Sequence, residues 1–175
     1  MDRTKKTCRG KGPTFSKYTF FKFSGKTING RDFASSASGY GADENGHGTH
    51  VAATIAGVRD GSGMRGVAYD ASLYDYKVDN NGDSSLEGLS SDANIAAIYN
   101  QHVTDSINVS NNSWGTSTSV TARTEAYFRA VLPNSITALR SFQNNGGLVV
   151  FAAGNDSNAE VSERGGMPYK ITELK

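Results

Sequence analysis

Residues 148–153, Leu148-Val149-Val150-Phe151-Ala152-Ala153, contain no polar side chain. Five of the six are aliphatic or alanine and the sixth is phenylalanine, which is what a strand covered on both faces in a parallel sheet requires. Just upstream, Ile136, Leu139 and Phe142 recur at helical spacing, and Asn145-Gly146-Gly147 predicts a stop through a left-handed residue. The same alternation holds earlier in the chain. Residues 73–78 read as a strand ending in a turn, Asp79-Asn80-Asn81-Gly82-Asp83. Ile95, Ile98, Tyr99 and His102 then share a helical face, with Ser90, Ser91 or Asp92 available as cap. Residues 107–110 read as a further short strand. Strand, helix, strand, helix, strand is the order of an α/β domain with right-handed crossovers.

In such sheets the ligand crevice lies beyond the carboxyl ends of the strands. Two segments meet that condition: Ser113-Trp114-Gly115, after 107–110, and Gly154-Asn155, after 148–153. Nearer the amino terminus, a loop rich in Ser, Gly and Asp occupies residues 30–46. It leads into 48–56, whose small apolar spacing predicts a buried helix with Val51, Ala52 and Ile55 on one side.

At 175 residues the chain fits one domain, and no internal repeat or linker divides it. Its charge is unevenly placed: residues 1–26 hold eight Lys or Arg against Asp2 alone, and the remainder is net acidic. With Phe15, Tyr18, Phe20, Phe21 and Phe23 interleaved, such an arm has the composition of a nucleic-acid or anionic-membrane binder. The simpler reading is a short hairpin, or a non-native start to a truncated chain, with solvated lysines, and no nucleic-acid partner is expected. Cys8 is the single cysteine, which excludes an intramolecular disulfide and a cysteine-rich zinc site. There is neither an apolar run of membrane-spanning length nor a signal peptide, so any export signal is expected outside these residues.

The most informative stretch is Asn45-Gly46-His47-Gly48-Thr49-His50-Val51-Ala52. A histidine between two glycines at a helix start can be approached closely by a substrate backbone, and it can act as general base if a carboxylate orients its ring. This stretch resembles the histidine motif of the subtilases, the subtilisin-like serine proteases of the peptidase S8 type. Val149-Val150-Phe151-Ala152-Ala153-Gly154-Asn155 resembles the same family's oxyanion-asparagine motif, and Asn112-Ser113-Trp114-Gly115 looks like its pocket strand. The resemblance covers roughly residues 30 to 165.

The resemblance implies a three-layer domain with a mainly parallel sheet flanked by helices, here truncated at both ends. Residues 27–175 would be that partial domain, preceded by the basic, aromatic-rich arm of residues 1–26. It implies a serine endopeptidase that cuts polypeptides through an acyl-enzyme, with His47 and Asn155 as the catalytic residues present. Asn155 would donate its side-chain N–H to the oxygen that becomes negative as the peptide carbonyl turns tetrahedral. Ser113, Trp114 and Gly115 would pair with an extended peptide along a strand edge, Trp114 forming one wall, with Ala152 and Gly154 toward the opposite one. The segment 79–83, with Leu86, would border more distant subsites. No cofactor is expected in the chain; calcium occurs in the family, but no ligand set for it can be read here. Gly165-Gly166-Met167-Pro168-Tyr169 and the Asn112-Ser113-Trp114-Gly115 form resemble the secreted bacterial autotransporter subgroup, which implies a parent protein exported to the cell surface.

Two parts of the family pattern are absent. The nucleophile's Gly-Thr-Ser-Met-Ala-x-Pro motif falls well after the asparagine, and the chain ends twenty residues past Asn155. Gly115-Thr116-Ser117 precedes the asparagine and does not continue as that motif. The orienting aspartate normally closes an apolar strand before a small residue and glycine. Asp32, followed by Phe33-Ala34, does not fit, and Asp2 has no strand ahead of it. The isolated chain is therefore expected to be inert, and to aggregate through apolar surface. Two rival readings remain: a pseudoprotease that keeps only the peptide groove, and a metal-dependent hydrolase built on His47 and His50 with Asp43 and Glu44 upstream. On the subtilase reading, His50 is a helix residue turned toward packing or a backbone hydrogen bond.

Overall fold

The computed structural model describes residues 5–8, 23, 25–33, 43, 46–78, 91–114, 123–155 and 163–174, with backbone alone for 5–8 and 163–165. The turn at 79–83, Leu86, Gly115, Ser117 and Glu44 lie outside the described residues. The chain divides into two compact units, Met1–Ser90 with Ile107–Val109, and Ser91–Ser106 with Ser110–Lys175.

In the first unit, strand β3 (Ser72–Lys77) lies between β1 (Lys5–Cys8) and β2 (Ile28–Asp32), parallel to both. The register sets Ile28 beside Leu73 and Asp32 beside Lys77, and on the other side Lys5 beside Ser72. Part of the basic arm is thus strand. Helix α1 (His47–Ala56) lays Val51, Ala52 and Ile55 on a core of Phe23, Ala56, Ala71 and Leu73, the face its spacing predicts. Lys26 does more than meet solvent: its Nζ donates to the carbonyls of Tyr69 (2.8 Å) and Ala71 (2.7 Å), tying down the approach to β3. Gly30 is required by close approach, because a Cβ there would sit 1.7 Å from the Asp75 carbonyl oxygen.

In the second unit, α2 (Asp92–Thr104) packs against α4 (Pro133–Asn144), burying Ile95, Ile98, Tyr99 and His102 with Ile136, Leu139 and Phe142. Ser91 is the cap of α2, its hydroxyl accepting from the Asn94 amide. The predicted left-handed stop of α4 is Gly146, φ 83°. Strands β4 (Val109–Asn112) and β5 (Leu148–Phe151) are neighbours, joined beyond β5 by the Ala152 amide donating to the Asn112 carbonyl at 3.0 Å. Helix α3 (Glu125–Val131), helix α5 (Glu163–Lys170) and a 3₁₀ turn (Thr172–Leu174) complete the unit. Arg129 of α3 clamps Glu173 with two hydrogen bonds, Nη1 to Oε1 at 2.7 Å and Nη2 to Oε2 at 2.6 Å.

Three sequence expectations need correction. Strand β4 begins two residues later than predicted, since Ile107 is buried ahead of it rather than within it. His50 does lie in α1, but its side chain is exposed instead of packed, while its carbonyl accepts from the Thr54 hydroxyl. And β5 is not covered on both faces: Leu148 is 59% and Val150 44% exposed, while Val149 and Phe151 on the opposite face are half-buried. Alternate residues of a strand point to opposite faces, and no described element covers the Leu148–Val150 side.

Helix α4 starts without a capping side chain of its own, because Leu132 occupies the cap position and Pro133 follows. The cap comes from α2 instead. Asp92 accepts from the amides of Asn134 (2.9 Å) and Ser135 (2.7 Å) and from Asn134 Nδ2 (2.7 Å). Burial alone would raise the Asp92 pKa, but the hydrogen bonds from Ser135 and Asn134 prevail and hold it below the usual carboxylate value. Asp92→Ala is expected to cost the unit about 2 kcal/mol at neutral pH, in the range for hydrogen bonds to a charged group. Because the folded pKa is depressed, the contribution is complete above the unfolded value of about 4 and is lost as pH falls through the folded one. Urea unfolding of wild type and variant should therefore give a gap that narrows on acidification. A gap that holds constant down to strongly acid pH would contradict this.

Candidate functional site

His47 is the first residue of α1 and its side chain is exposed. The residue before it, Gly46, has φ 84°, a left-handed conformation that L side chains rarely adopt, and as a glycine it cannot cap the helix with a side chain. Asp43 performs that task from three residues upstream. Its buried carboxylate accepts from the Gly46 amide at 2.6 Å, from the Thr49 amide at 2.8 Å, and from the Thr49 hydroxyl. One carboxylate thereby satisfies amides at the helix N-terminus, where the helix dipole favours negative charge. The result is a hydrogen-bonded turn that presents the imidazole of His47 between Gly46 and Gly48, with Gly48 buried.

Asp43 was visible in the sequence only as a member of a hypothetical metal set. Its spacing, three before the glycine and six before the threonine, is the signal that marks it as the turn's anchor. Asp32 closes β2, buried, with its carboxylate 3.8 Å from Lys77 Nζ. A strand does end at this aspartate, but that strand is the polar Ile-Asn-Gly-Arg-Asp. Among the described residues, no group of three or more His, Cys, Asp or Glu is placed to hold a metal ion.

In the second unit the other predicted site residues follow the carboxyl ends of two neighbouring strands. Ser113 and Trp114 come directly after β4 and are half-buried; the Ser113 hydroxyl accepts from Asn111 Nδ2 at 2.8 Å, and Trp114 Nε1 donates to Asn112 Oδ1 at 3.1 Å. After β5, Ala152 is half-buried, whereas Gly154 and Asn155 are exposed. Gly154 has φ 109°, a value that frees the chain to turn out of the strand and leave Asn155 at the surface. Such a placement suits a side-chain amide that must donate to a substrate oxygen.

The subtilase family model matches residues 18–172. The chain belongs to the subtilase family. It is 32% identical to subtilisin DY of Bacillus licheniformis over 149 residues, 85% of this chain and 48% of that protein. It is 45% identical to the thermostable alkaline protease of Halalkalibacterium halodurans over 75 residues, 42% of this subtilase and 20% of that one. Among solved structures, MycP1 with its N-terminal propeptide removed superposes with a TM-score of 0.65 at 22% identity, covering 89% of this chain and 44% of that one. The fold is thus that of the subtilisin-like proteases. The subtilase described here spans about half the length of subtilisin DY, and its matched stretch covers a fifth of the alkaline protease.

Proposed function

We propose that these residues supply the general base and an oxyanion donor to a serine endopeptidase acting on polypeptides. The observation that supports it is the presentation of His47: exposed, flanked by glycines, at a helix start fixed by Asp43. In the proposed reaction the His47 imidazole takes the proton of an attacking serine hydroxyl and later hands it to the leaving amine. The Asn155 side-chain N–H donates to the carbonyl oxygen as negative charge develops on it. Ser113 and Trp114 line an extended peptide, and the small side of Ala152 and Gly154 leaves room for the substrate side chain. No cofactor enters this scheme.

Secretion of the parent protein is part of the proposal. It is supported by relatives such as the extracellular serine protease of Serratia marcescens, although the major intracellular serine protease of Bacillus subtilis is similar as well. Presentation at the cell surface by an autotransporter is the finer form of the same proposal, supported by the sequence forms at 112–115 and 165–169. Among the described residues no helix is long and apolar enough to cross a membrane.

The 175 residues contain no Gly-Thr-Ser-Met-Ala-x-Pro segment. An active-site-directed fluorophosphonate is therefore expected to leave this chain unlabelled, and to label a longer protein that joins it to such a segment. Stoichiometric labelling of a serine within the 175 residues would contradict the assignment. A longer reading frame that lacks any reactive serine would favour the pseudoprotease, a groove that binds peptides without cutting them.

A further inference from the structure

Asn112, the last residue of β4, is buried, and every hydrogen-bonding position of its amide is used. Oδ1 accepts from Trp114 Nε1 at 3.1 Å and from the Tyr99 hydroxyl at 3.3 Å. Nδ2 donates to Ser110 Oγ at 3.0 Å and to the Val150 carbonyl of β5 at 3.3 Å. The orientation of the amide is forced, because an indole N–H can only donate and a carbonyl can only accept. Ser110 Oγ lies in turn 3.0 Å from His102 Nε2, so the network reaches the buried face of α2. An asparagine is a poor strand residue by propensity and burying its amide is unfavourable unless all its groups are paired. Here the pairing joins the end of β4, the end of β5 and the indole that follows β4.

We propose that Asn112 is a positioning residue that fixes the orientation of the Trp114 indole and bolts it to β5, and so sets the shape of one groove wall. The part concerning the groove rests on the function proposed above; the part concerning the indole does not. A simple buried polar bridge would support the fold without governing the indole.

Trp114 is the single tryptophan of the chain, so its emission reports this position alone. In Asn112→Leu, with far-UV circular dichroism retained, Trp114 should shift its emission to longer wavelength, lose anisotropy and become more open to acrylamide. Losing one ordinary hydrogen bond corresponds to roughly a five-fold fall in the ratio of docked to undocked indole. Tyr99→Phe and Ser110→Ala keep the strand and remove one partner each, and should move the same signals in the same direction by less. If Asn112→Leu does not fold, these two variants decide the matter. Emission, anisotropy and quenching equal to wild type in the folded variants would overturn the proposal. Peptide cleavage does not enter this readout, so a failed groove and a failed bolt give different results.

Discussion

Asp43→Ala is expected to lower the stability of the first unit by about 3 kcal/mol and to release the turn that carries His47. The Gly46 amide, the Thr49 amide and the Thr49 hydroxyl converge on this carboxylate. Removing the acceptor leaves them at a part-buried site; a fully buried unsatisfied donor costs about 1–3 kcal/mol, and water reaching these recovers part of that. Thr49 is the third residue of α1 and Gly46 has no side chain with which to cap the helix in its place. Asp43→Asn should restore part of the loss, since its amide oxygen can keep the two Thr49 donors while its N–H groups face the Gly46 amide. Chemical unfolding measures the loss, and amide hydrogen exchange at Gly46 and Thr49 locates it. An unchanged midpoint with unchanged exchange at those two amides would refute Asp43 as the anchor of this turn.

Where apolar residues recur at a fixed period, the sequence announced the structure closely. Val51, Ala52 and Ile55 gave the buried face of α1, and Ile136, Leu139 and Phe142 that of α4, because a helix packed on one side must repeat its contacts every turn. What escaped has no such period. Strand β2 is Ile-Asn-Gly-Arg-Asp, mostly polar, and is held by its parallel register with β3 and by the Asp32–Lys77 pair, contacts distant in sequence. Helix α5 contains Gly165, Gly166 and Pro168, residues that argue against a helix on local grounds; Met167 of α5 and Ile171 just beyond it are buried all the same.

Strand β4 was displaced by two residues for a related reason. Ile107 looked like strand and Asn111-Asn112 did not, yet Asn112 remains in the strand through side-chain bonds that only the tertiary arrangement supplies. The exposure of Leu148 and Val150 shows the limit from the other direction: an apolar run reports that a face can be covered, not which element covers it. For the candidate site, motifs named His47, Ser113, Trp114, Ala152, Gly154 and Asn155, but the residues holding them, Asp43 and Asn112, act through bonds no motif displays.

The largest expected effects on catalysis fall on the two motif residues themselves. In a longer protein that joins these residues to the serine motif, His47→Ala removes the only group proposed to accept the serine proton. In a subtilisin, losing the corresponding function lowers turnover about a million-fold, and the same order is expected here. Asn155→Ala acts differently. Its N–H is proposed to meet an oxygen that gains negative charge only as the tetrahedral transition state and intermediate form, so substrate binding should barely change. Loss of such a donor in a subtilisin costs about 100- to 1,000-fold in kcat, or roughly 2.7–4 kcal/mol.

Asn155 is exposed after β5, at the carboxyl end of a strand. With far-UV circular dichroism unchanged in the variant, a fall in rate is chemical and not a matter of folding. The decisive measurement is steady-state hydrolysis of a peptide by the Asn155→Ala form of that longer protein. A kcat lowered by two to three orders of magnitude with KM nearly unchanged is the predicted result. A kcat equal to wild type would contradict the assignment of this amide to the oxyanion, and with it the catalytic reading of the chain.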